Sequence, residues 1–599
     1  MIELDLRPDK MKMAARATAG GDDDYDAEII EQILNKELKV DSVDSDHATP
    51  LHYAAKQGKL NLVKMLLREG AKLDAQTREG CTPLHLAAQQ QRLAVCKYLL
   101  EKGADPNVRD NRGLTPMHCV CQTAFSSKIL SLMISKGAKA DAITKDGKNG
   151  LHLAVKKMQS PAQLNQSKIC LILLANSCPV DAKDNEYLTP LHYAVLNGQL
   201  ELCKVLIDHG AFVIAQREDG LTPLHIAAEY DHYDVAELLL EKGSYVNARS
   251  NVESTPQHVA AKKNHPRIAK LLLFVNADPD LRDIQGETAL HVAAKLGHLL
   301  VVETMLKFAN RPIDINARVP SSGATALYLA AKFGHTSIVQ SLLDHGAFYN
   351  TASSLSWMRC CPFTPLALAR IQNRKPVVKL IKKVKLMLRA AKTDDTDSVM
   401  SYIDKGASTN ARDCGNGRCA LHYAALNGNL ALTEYLLSKG AKVDLRTLDG
   451  HTPLLSALSR NRYQLANVMI DYAATRLDHE NLIRFLDAQT RRKQETALHK
   501  AVRKNQLDLV KLLIGSGATY NLRNKNDFTP TDLAKGELKG YLSAIEDVSK
   551  NSQGSRRWSE IIAKQQNVKH ARNQSTGETA LNWSTPKSGI ESVKTALED

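Results

Sequence analysis

The clearest chemical feature of the sequence is a histidine that recurs at one place in a repeated string. Residues 49–55 read TPLHYAA, and close copies begin at residues 82, 189, 222 and 288. A histidine at a fixed place could be a general base or a metal ligand. Ten histidines hold this position: His52, His85, His118, His152, His192, His225, His258, His291, His422 and His499. Neighbouring copies would lie about 10 Å apart at the spacing of packed helices, too far to share a metal ion, which favours a structural role.

The string returns at a fixed interval. Its strong copies start in steps of 33 residues, first at 49, 82 and 115 and then at 189, 222, 255 and 288. Weaker copies begin at Asn149, Thr325, Thr364, Cys419, Thr452, Thr496 and Thr529. Self-similarity at such a period is the mark of units that stack to bury a continuous core.

One unit shows why each copy should fold as two helices. Thr82 is a helix N-cap candidate, and Pro83 follows at the first helical position, where its missing N–H is harmless. Residues 95–101 have the apolar spacing of a second helix, and Gly103 supplies a left-handed residue to end it. Residues 107–113 read NVRDNRG, a turn-rich stretch that suits a hairpin leading into the next copy.

A 33-residue turn–helix–helix unit carrying TPLHxAA resembles the ankyrin repeat, and the resemblance covers most of residues 49–535. It implies an all-α solenoid of stacked helix-turn-helix units with short β-hairpin loops, about 16 repeats including caps. Hairpin tips would lie on one edge and the first helices would line a concave surface. The resemblance also implies that the recurring histidine bonds within its own helical turn and to the neighbouring loop.

Irregular spacings predict the domain layout. We predict an N-terminal extension at 1–8, a first ankyrin array at 9–383 with a degenerate cap repeat at 9–48, a second array at 385–547 with a cap-like repeat at 385–418, a polar linker at 548–576, and a partial or degenerate repeat at 577–599. One continuous solenoid with a local kink is the alternative to two arrays. The final segment is either a C-terminal cap or the point where a longer chain was cut.

Composition limits the class of protein. The chain has 599 residues, a formal net charge of +14 and eleven scattered cysteines, an odd number that does not indicate a secreted disulfide framework. The first residues lack the apolar core of a secretory signal, and apolar runs are far shorter than a membrane span. We expect a cytoplasmic protein, with the nucleus as a second location.

The densest charge feature is a basic segment at residues 374–392. It carries eight basic residues and no acidic one: Arg374, Lys375, Lys379, Lys382, Lys383, Lys385, Arg389 and Lys392. Val378, Ile381, Val384 and Leu388 recur at helical spacing, which predicts a basic amphipathic helix. Three interpretations stay open: a solvated junction helix, a contact for phosphate, an acidic segment or acidic lipid, and a nuclear-import signal. No specific nucleic acid is expected, because aromatic side chains are not interleaved with the charges.

The sequence proposes no reaction. It lacks phosphate loops, nucleophile elbows, zinc-protease strings and paired CxxC spacing, so we predict no enzyme, no cofactor and no metal. The function that remains is a protein-interaction scaffold. The expected contact residues lie at hairpin tips and on first helices: Arg78, Glu79, Gln89, Gln90, Asp110, Asn111, Arg112, Glu218, Asp219, Glu229, Tyr230, Lys332 and Phe333.

Tyr230 and Phe333 are the strongest of these candidates, because aromatic side chains dominate binding energy at interfaces. Two alternative functions remain. One is the cytoplasmic ankyrin region of a larger membrane protein, such as a TRPA-like cation channel. The other is the repeat region of a latrotoxin-like toxin.

Overall fold

The structure is a computed structural model that describes residues 40–123, 126–156, 163–352 and 363–550. These residues form thirty α-helices, and no β-strand occurs among them. The predicted all-α architecture is therefore confirmed. The helices fall into two compact units, the first ending at Phe333 and the second beginning at Gly334.

The first unit contains seventeen helices. They are α1 Pro50–Gln57, α2 Leu60–Arg68, α3 Pro83–Gln89, α4 Leu93–Glu101, α5 Pro116–Thr123, α6 Ser127–Ser135, α7 Gly150–Lys156, α8 Gln163–Ala175, α9 Pro190–Leu196, α10 Leu200–Asp208, α11 Pro223–Glu229, α12 Tyr233–Glu241, α13 Pro256–Lys263, α14 Pro266–Phe274, α15 Ala289–Leu296, α16 Leu299–Phe308 and α17 Ala326–Phe333.

Local sequence explains where these helices begin and end. Thr82 has an extended backbone, with φ −92° and ψ 166°, and its hydroxyl accepts the N–H of His85 at 3.4 Å. That bond satisfies one of the free N–H groups at the start of α3. Helix α4 begins at Leu93, two residues before the predicted start, and ends at Glu101. Gly103 follows with φ +94°, a left-handed conformation that suits glycine.

Helices of the first unit stack in two rows. Each odd-numbered helix contacts the next odd-numbered helix, from α1 to α17, and the even-numbered helices from α2 to α16 stack in the same way. The core between the rows is made of small and medium side chains, and Leu84, Ala87 and Ala88 are fully buried in α3. Alanines let helices approach closely, so each repeat buries its apolar face only against its neighbours.

The second unit contains thirteen helices. They are α18 Thr336–Asp344, α19 Pro365–Ile371, α20 Lys375–Lys392, α21 Thr396–Asp404, α22 Ala420–Asn427, α23 Leu430–Ser438, α24 Pro453–Ser459, α25 Tyr463–Arg476, α26 His479–Leu486, α27 Ala497–Arg503, α28 Leu507–Gly515, α29 Pro530–Leu533 and α30 Glu537–Lys550.

Helix α20 serves two repeats at once. It packs with α18 and α19, as the second helix of a repeat does, and also with α21 and α22, as a first helix does. No loop separates the halves, because the 18 residues form one continuous helix. The predicted boundary between arrays at 383–385 therefore lies inside a single helix. The division into two arrays stays a prediction.

A second irregularity is an insertion after Thr452. The sequence there is longer than one repeat, and the structure uses the extra residues to lengthen the second helix, α25, and to add the short helix α26. The second helix of this repeat is therefore 14 residues long. Leu482, Phe485 and Leu486 of α26 are buried, so the insertion is packed into the unit.

Several predicted segments lie outside the described residues. These are the extension at 1–8, most of the cap repeat at 9–48, the linker at 548–576 apart from the last turn of α30, and the segment 577–599. Within the described ranges, no helix combines the length and the apolar character needed to cross a lipid bilayer.

Candidate functional site

The recurring histidine is a buried part of the framework. In α3, His85 Nδ1 lies 3.1 Å from the N–H of Thr82 and 2.8 Å from its hydroxyl, while Nε2 lies 3.1 Å from the carbonyl oxygen of Leu114. A carbonyl can only accept, so Nε2 carries the proton and Nδ1 accepts from Thr82. The ring joins the start of one helix to the loop before the next repeat. Both nitrogens are used, and none is left for a metal or a substrate.

The other copies repeat this arrangement. All ten are at most 3% exposed. Nine of them place Nε2 at 2.9–3.1 Å from a main-chain carbonyl: His52, His85, His118, His152, His225, His258, His291, His422 and His499. His192 is the exception, because its Nε2 has no partner within hydrogen-bond geometry. The Leu221 carbonyl is still near enough to raise the pKa of the ring, against the larger effect of burial. Their common role is structural, as their spacing predicts.

Burial keeps these rings neutral. It lowers the pKa of His118 to about 4, although the Ala142 carbonyl acts in the opposite direction. Burial also lowers the pKa of His225 to about 4 and that of His422 to about 3. A general base that works near neutral pH needs a pKa near 7 and access to substrate, and these rings have neither.

The described cysteines and metal-ligating side chains do not form a reactive site either. Eight described cysteines are buried as free thiols, and Cys414 is partly exposed. Burial raises the pKa of Cys96 and Cys203 to about 12, so these thiols stay protonated and unreactive. Among the residues that the structure describes, no group of three or more histidine, cysteine or acidic side chains could hold a metal ion.

The first unit carries an open cleft between loops and first helices. The cleft has a volume of about 480 Å³ and lies over the ends of α3 and α5. Its lining mixes charged, amide and apolar side chains: Gln89, Arg112, Leu114, Gln122, Thr123, Thr144, Asp146, Lys148 and Leu153. Gln89 and Arg112 are two of the predicted contact residues, and the cleft brings them together.

The predicted tip residues differ in how free they are. Arg78 and Glu79 are exposed, and so is Asn111, whose amide donates to the carbonyl of Arg78 at 2.9 Å. Asp110 is only 5% exposed, and its Oδ1 accepts the N–H groups of Arg112 and Leu114 at 2.8 and 2.7 Å. The expectation of a free contact at Asp110 is therefore corrected: its carboxylate closes the turn of its own loop.

Acidic candidates in the middle of the first unit are paired, apart from Glu218, which is exposed. Arg217 donates to both carboxylate oxygens of Asp219, at 2.7 and 2.6 Å, and this bond lowers the pKa of Asp219. Glu229 forms an ion pair with Lys263 at 3.0 Å. A partner could still contact these residues, but it would compete with an internal ion pair at two of the three.

The aromatic candidates are exposed at one register of the first helices. Tyr230 follows α11 and is 51% exposed, and Phe333 ends α17 and is 39% exposed. The Tyr230 ring stacks on His232 with centroids 6.1 Å apart, and the Lys332 ammonium lies 5.4 Å from the centroid of Phe333. Both rings are therefore partly exposed at the surface, and each has a neighbouring side chain beside it.

Leu296 belongs to the same surface, although the sequence reasoning did not single it out. It ends α15 at the place equivalent to Phe333 in the preceding repeat, and it is 46% exposed. The signal was present in the alignment of copies, because Tyr230, Leu296 and Phe333 each stand eight residues after the threonine that starts their unit. We call these three residues the apolar row. Gln90 stands at the same register and is also exposed.

The basic segment forms helix α20, as predicted. Its apolar positions Ile381, Val384 and Leu388 are buried, whereas Val378 is partly exposed and its neighbour Val377 is buried instead. Seven of the eight basic residues are exposed: Arg374, Lys375, Lys379, Lys382, Lys385, Arg389 and Lys392. The eighth, Lys383, is partly exposed and donates to the carbonyl of Lys405 at 2.5 Å.

Comparison with known proteins agrees with this architecture. The family model "Ankyrin repeats (3 copies)" matches residues 14–110, 161–250, 257–353 and 386–479, and the model "Ankyrin repeat" matches 493–525. Similar curated proteins include Alpha-latrotoxin-Lg1a of Latrodectus geometricus, 33% identical over 133 residues, which are 22% of this chain and 9% of the toxin.

An ankyrin repeat-containing protein of Schizosaccharomyces pombe is 38% identical over 65 residues, 11% of this chain and 31% of the yeast protein. Each match thus spans less than a third of the relative. Among solved structures, the ankyrin repeat domain of Bcl-3 is 29% identical, with a TM-score of 0.33, and covers 38% of this chain and 99% of that domain. The family models together cover well over half of the residues, and the chain belongs to the ankyrin repeat family.

Proposed function

We propose that the protein is a non-catalytic scaffold that binds segments of partner proteins along the ends of its first helices and at its loop tips. Ankyrin repeats mediate protein–protein binding in general. The observation that carries the proposal for this chain is the apolar row, three large apolar side chains exposed at one register of the first unit.

The row has the spacing of a groove for a peptide or helix. Stacked helices lie about 10 Å apart, so Leu296 and Phe333 are about 10 Å apart and Tyr230 lies about 20 Å from Leu296. Single exposed apolar side chains are ordinary, but aligned ones indicate an interaction site. Lys262 and Lys332 are exposed beside the row, which favours a partner segment with acidic as well as apolar side chains.

The cleft over α3 and α5 supports a second contact within the same scaffold. It places the exposed residues Gln89 and Arg112 around a concave surface with an apolar floor that includes Leu114. A rigid array with two such contacts gains affinity by binding two parts of one partner at once. The tip residues Arg78, Glu79 and Glu218 would then select among partners by charge.

Three finer expectations belong to this proposal. The basic helix α20 is proposed to contact an acidic segment or acidic lipid. The buried free thiols support a reducing compartment, the cytoplasm or the nucleus. The channel-like and toxin-like alternatives stay alternatives, since the match to Alpha-latrotoxin-Lg1a covers 9% of that toxin.

The test compares partners captured from source cells by the full chain and by a variant with Tyr230→Ala, Leu296→Ala and Phe333→Ala. Tyr245→Ala is the matched control, because Tyr245 is 66% exposed and lies outside the row. We expect partners to be lost from the triple variant and retained by the control, with both variants melting like the wild type. Identical partners in all three proteins would overturn the assignment of the row.

A further inference from the structure

Helix α20 presents a straight line of positive charge. Residues 375, 379, 382, 386 and 389 follow one another at steps of four and three, so they share one face of the helix. Four of them are Lys375, Lys379, Lys382 and Arg389, and all four are exposed. At 1.5 Å per residue the line is about 21 Å long. We call these four residues the basic stripe.

The opposite face of α20 is already covered. Val377, Ile381, Val384 and Met387 are fully buried, and helices α18, α19, α21 and α22 of the same unit pack around α20. The stripe is therefore held on a fixed helix whose apolar face is used inside the fold.

The charges of the stripe have no internal counter-ions in the described part of the chain. Some exposed lysines elsewhere are paired, as in Lys204 with Glu201 at 2.9 Å and Lys439 with Asp404 at 3.0 Å. No described carboxylate lies within 4.0 Å of a stripe nitrogen. Like charges four residues apart, and cations at a helix N-terminus, both destabilise a helix. An anionic partner would remove both unfavourable interactions.

We infer that the basic stripe is a docking surface for an acidic, extended segment of a partner protein. In an extended chain, side chains on one face recur about every 6.6 Å, close to the rise of about 6 Å from Lys375 to Lys379. The next steps of the stripe are about 4.5 Å, to Lys382, and about 10.5 Å, to Arg389, so the match is to the whole length. About seven extended residues with alternating acidic side chains match the length of the stripe. Leu386, 43% exposed on the same line, receives an apolar side chain of that segment.

Anionic lipid is the competing source of negative charge, and the geometry disfavours it. An amphipathic helix binds a membrane by placing its apolar face in the bilayer, with the charges beside it. The apolar face of α20 is buried in protein, and Leu386 is the one apolar side chain on the exposed line. Charge alone remains, and it lies along a single helix, a shape that fits an extended chain better than a plane.

The inference rests on the proposed function in one respect, that the chain binds protein segments. Its test distinguishes binding at the basic stripe from binding at the apolar row. The probe is a labelled synthetic peptide of alternating glutamates with one leucine near an end, titrated with full-length protein by fluorescence anisotropy. The stripe variant carries Lys375→Gln, Lys379→Gln, Lys382→Gln and Arg389→Gln. The charge-matched control carries Lys128→Gln, Lys136→Gln, Lys139→Gln and Lys145→Gln, four exposed lysines of the first unit.

We expect the stripe variant to bind the peptide at least about tenfold more weakly than wild type, and the control to stay within about threefold. The variant with Tyr230→Ala, Leu296→Ala and Phe333→Ala should bind the peptide like wild type. Peptide binding at the stripe therefore does not depend on whether the apolar row binds a partner. Binding should weaken with added salt and vanish when glutamines replace the glutamates.

Three results would overturn the inference. The first is that wild type shows no affinity for the peptide. The second is that the stripe variant and the control lose affinity equally, which would assign the effect to net charge. The third is stripe-dependent binding to vesicles with about a third phosphatidylserine but none to the peptide, which would make the stripe a lipid contact.

Discussion

The side-chain amide of Asn350 donates to a carboxylate oxygen of Asp413 at 2.9 Å, although 63 residues separate them. Elsewhere the loops between repeats bond at a distance of one repeat, as when Asn251 donates to the carbonyl of Glu218, 33 residues away. The pair is explained by α20. Because this helix runs through two repeats without a loop, the loops before and after it become direct neighbours.

Other contacts reinforce that junction. Arg412 donates through Nε to the carbonyl of Gly346 at 2.7 Å, and Asn410 donates to the carbonyl of Asp344 at 2.9 Å. Phe348 and Arg412 also form a parallel β-bridge, with the guanidinium 4.6 Å from the ring centroid. The loops before and after α20 are thus stacked directly on each other, with no loop between them.

Continuity of α20 predicts the effect of a proline. Lys385→Pro should destabilise the second unit by about 3 kcal/mol, because proline removes a helical hydrogen bond and clashes with the preceding turn. Lys385→Ala is the control, since the side chain is exposed and its loss should matter little. Urea unfolding followed by circular dichroism measures both. Equal stability of the two variants would instead favour a flexible connection between two arrays at this point.

Buried histidines predict a loss of stability in mild acid. Burial lowers the pKa of His118, His192, His225 and His291 to about 4, whereas an unfolded chain binds protons near pH 6.5. The unfolded state therefore takes up more protons as the pH falls from 7 to 5, and stability falls with it. Each such histidine contributes up to about 1.4 kcal/mol per pH unit.

His225→Leu checks this origin of the pH dependence. The variant should be less stable at pH 7, because the Ser254 carbonyl that accepts from His225 Nε2 loses its partner. Its unfolding free energy should then fall less steeply with acid than that of wild type. An unchanged slope between pH 7 and pH 5 would show that His225 does not contribute.

Gln257 marks a weak point in the core of the first unit. It replaces the leucine of the repeated string, is 1% exposed, and both atoms of its side-chain amide lack a hydrogen-bond partner. Gln257→Leu should stabilise the protein by about 1–3 kcal/mol, since an unsatisfied buried amide is removed. Gln89→Leu, on an exposed position of the cleft, should change stability by less than about 0.5 kcal/mol. A destabilised Gln257→Leu protein would contradict this explanation.

Asp110 and Glu79 belong to neighbouring loops but are assigned different roles, Asp110 in stability and Glu79 in partner binding. Asp110→Ala should lower stability by about 1–3 kcal/mol, because two main-chain N–H groups lose their acceptor. Glu79→Ala should leave stability unchanged and affect partner binding alone, as its side chain is exposed. Thermal unfolding and partner capture, measured on both variants, distinguish the roles. The assignment fails if Asp110→Ala melts like wild type.

Much of this protein follows from its sequence alone. The repeated Thr-Pro pairs predict where first helices begin, and the histidine in each string is buried as its spacing indicates. The basic segment forms the helix that its apolar spacing predicts, except that Val377 replaces Val378 in the core. These features depend on capping and helical periodicity, which act over a few residues and are therefore visible in the chain.

Tertiary contacts decided the rest. Whether a tip residue is free depends on bonds that cross turns and repeats, so Asp110 is buried while Arg78, at a similar place, is exposed. The apolar row needed the structure to show that Leu296 stays uncovered, because exposure depends on what neighbouring repeats bury. Asn350 pairs with Asp413 because α20 is continuous where a loop between two repeats would otherwise stand. Such contacts join residues far apart in sequence, and they form only when the repeats stack.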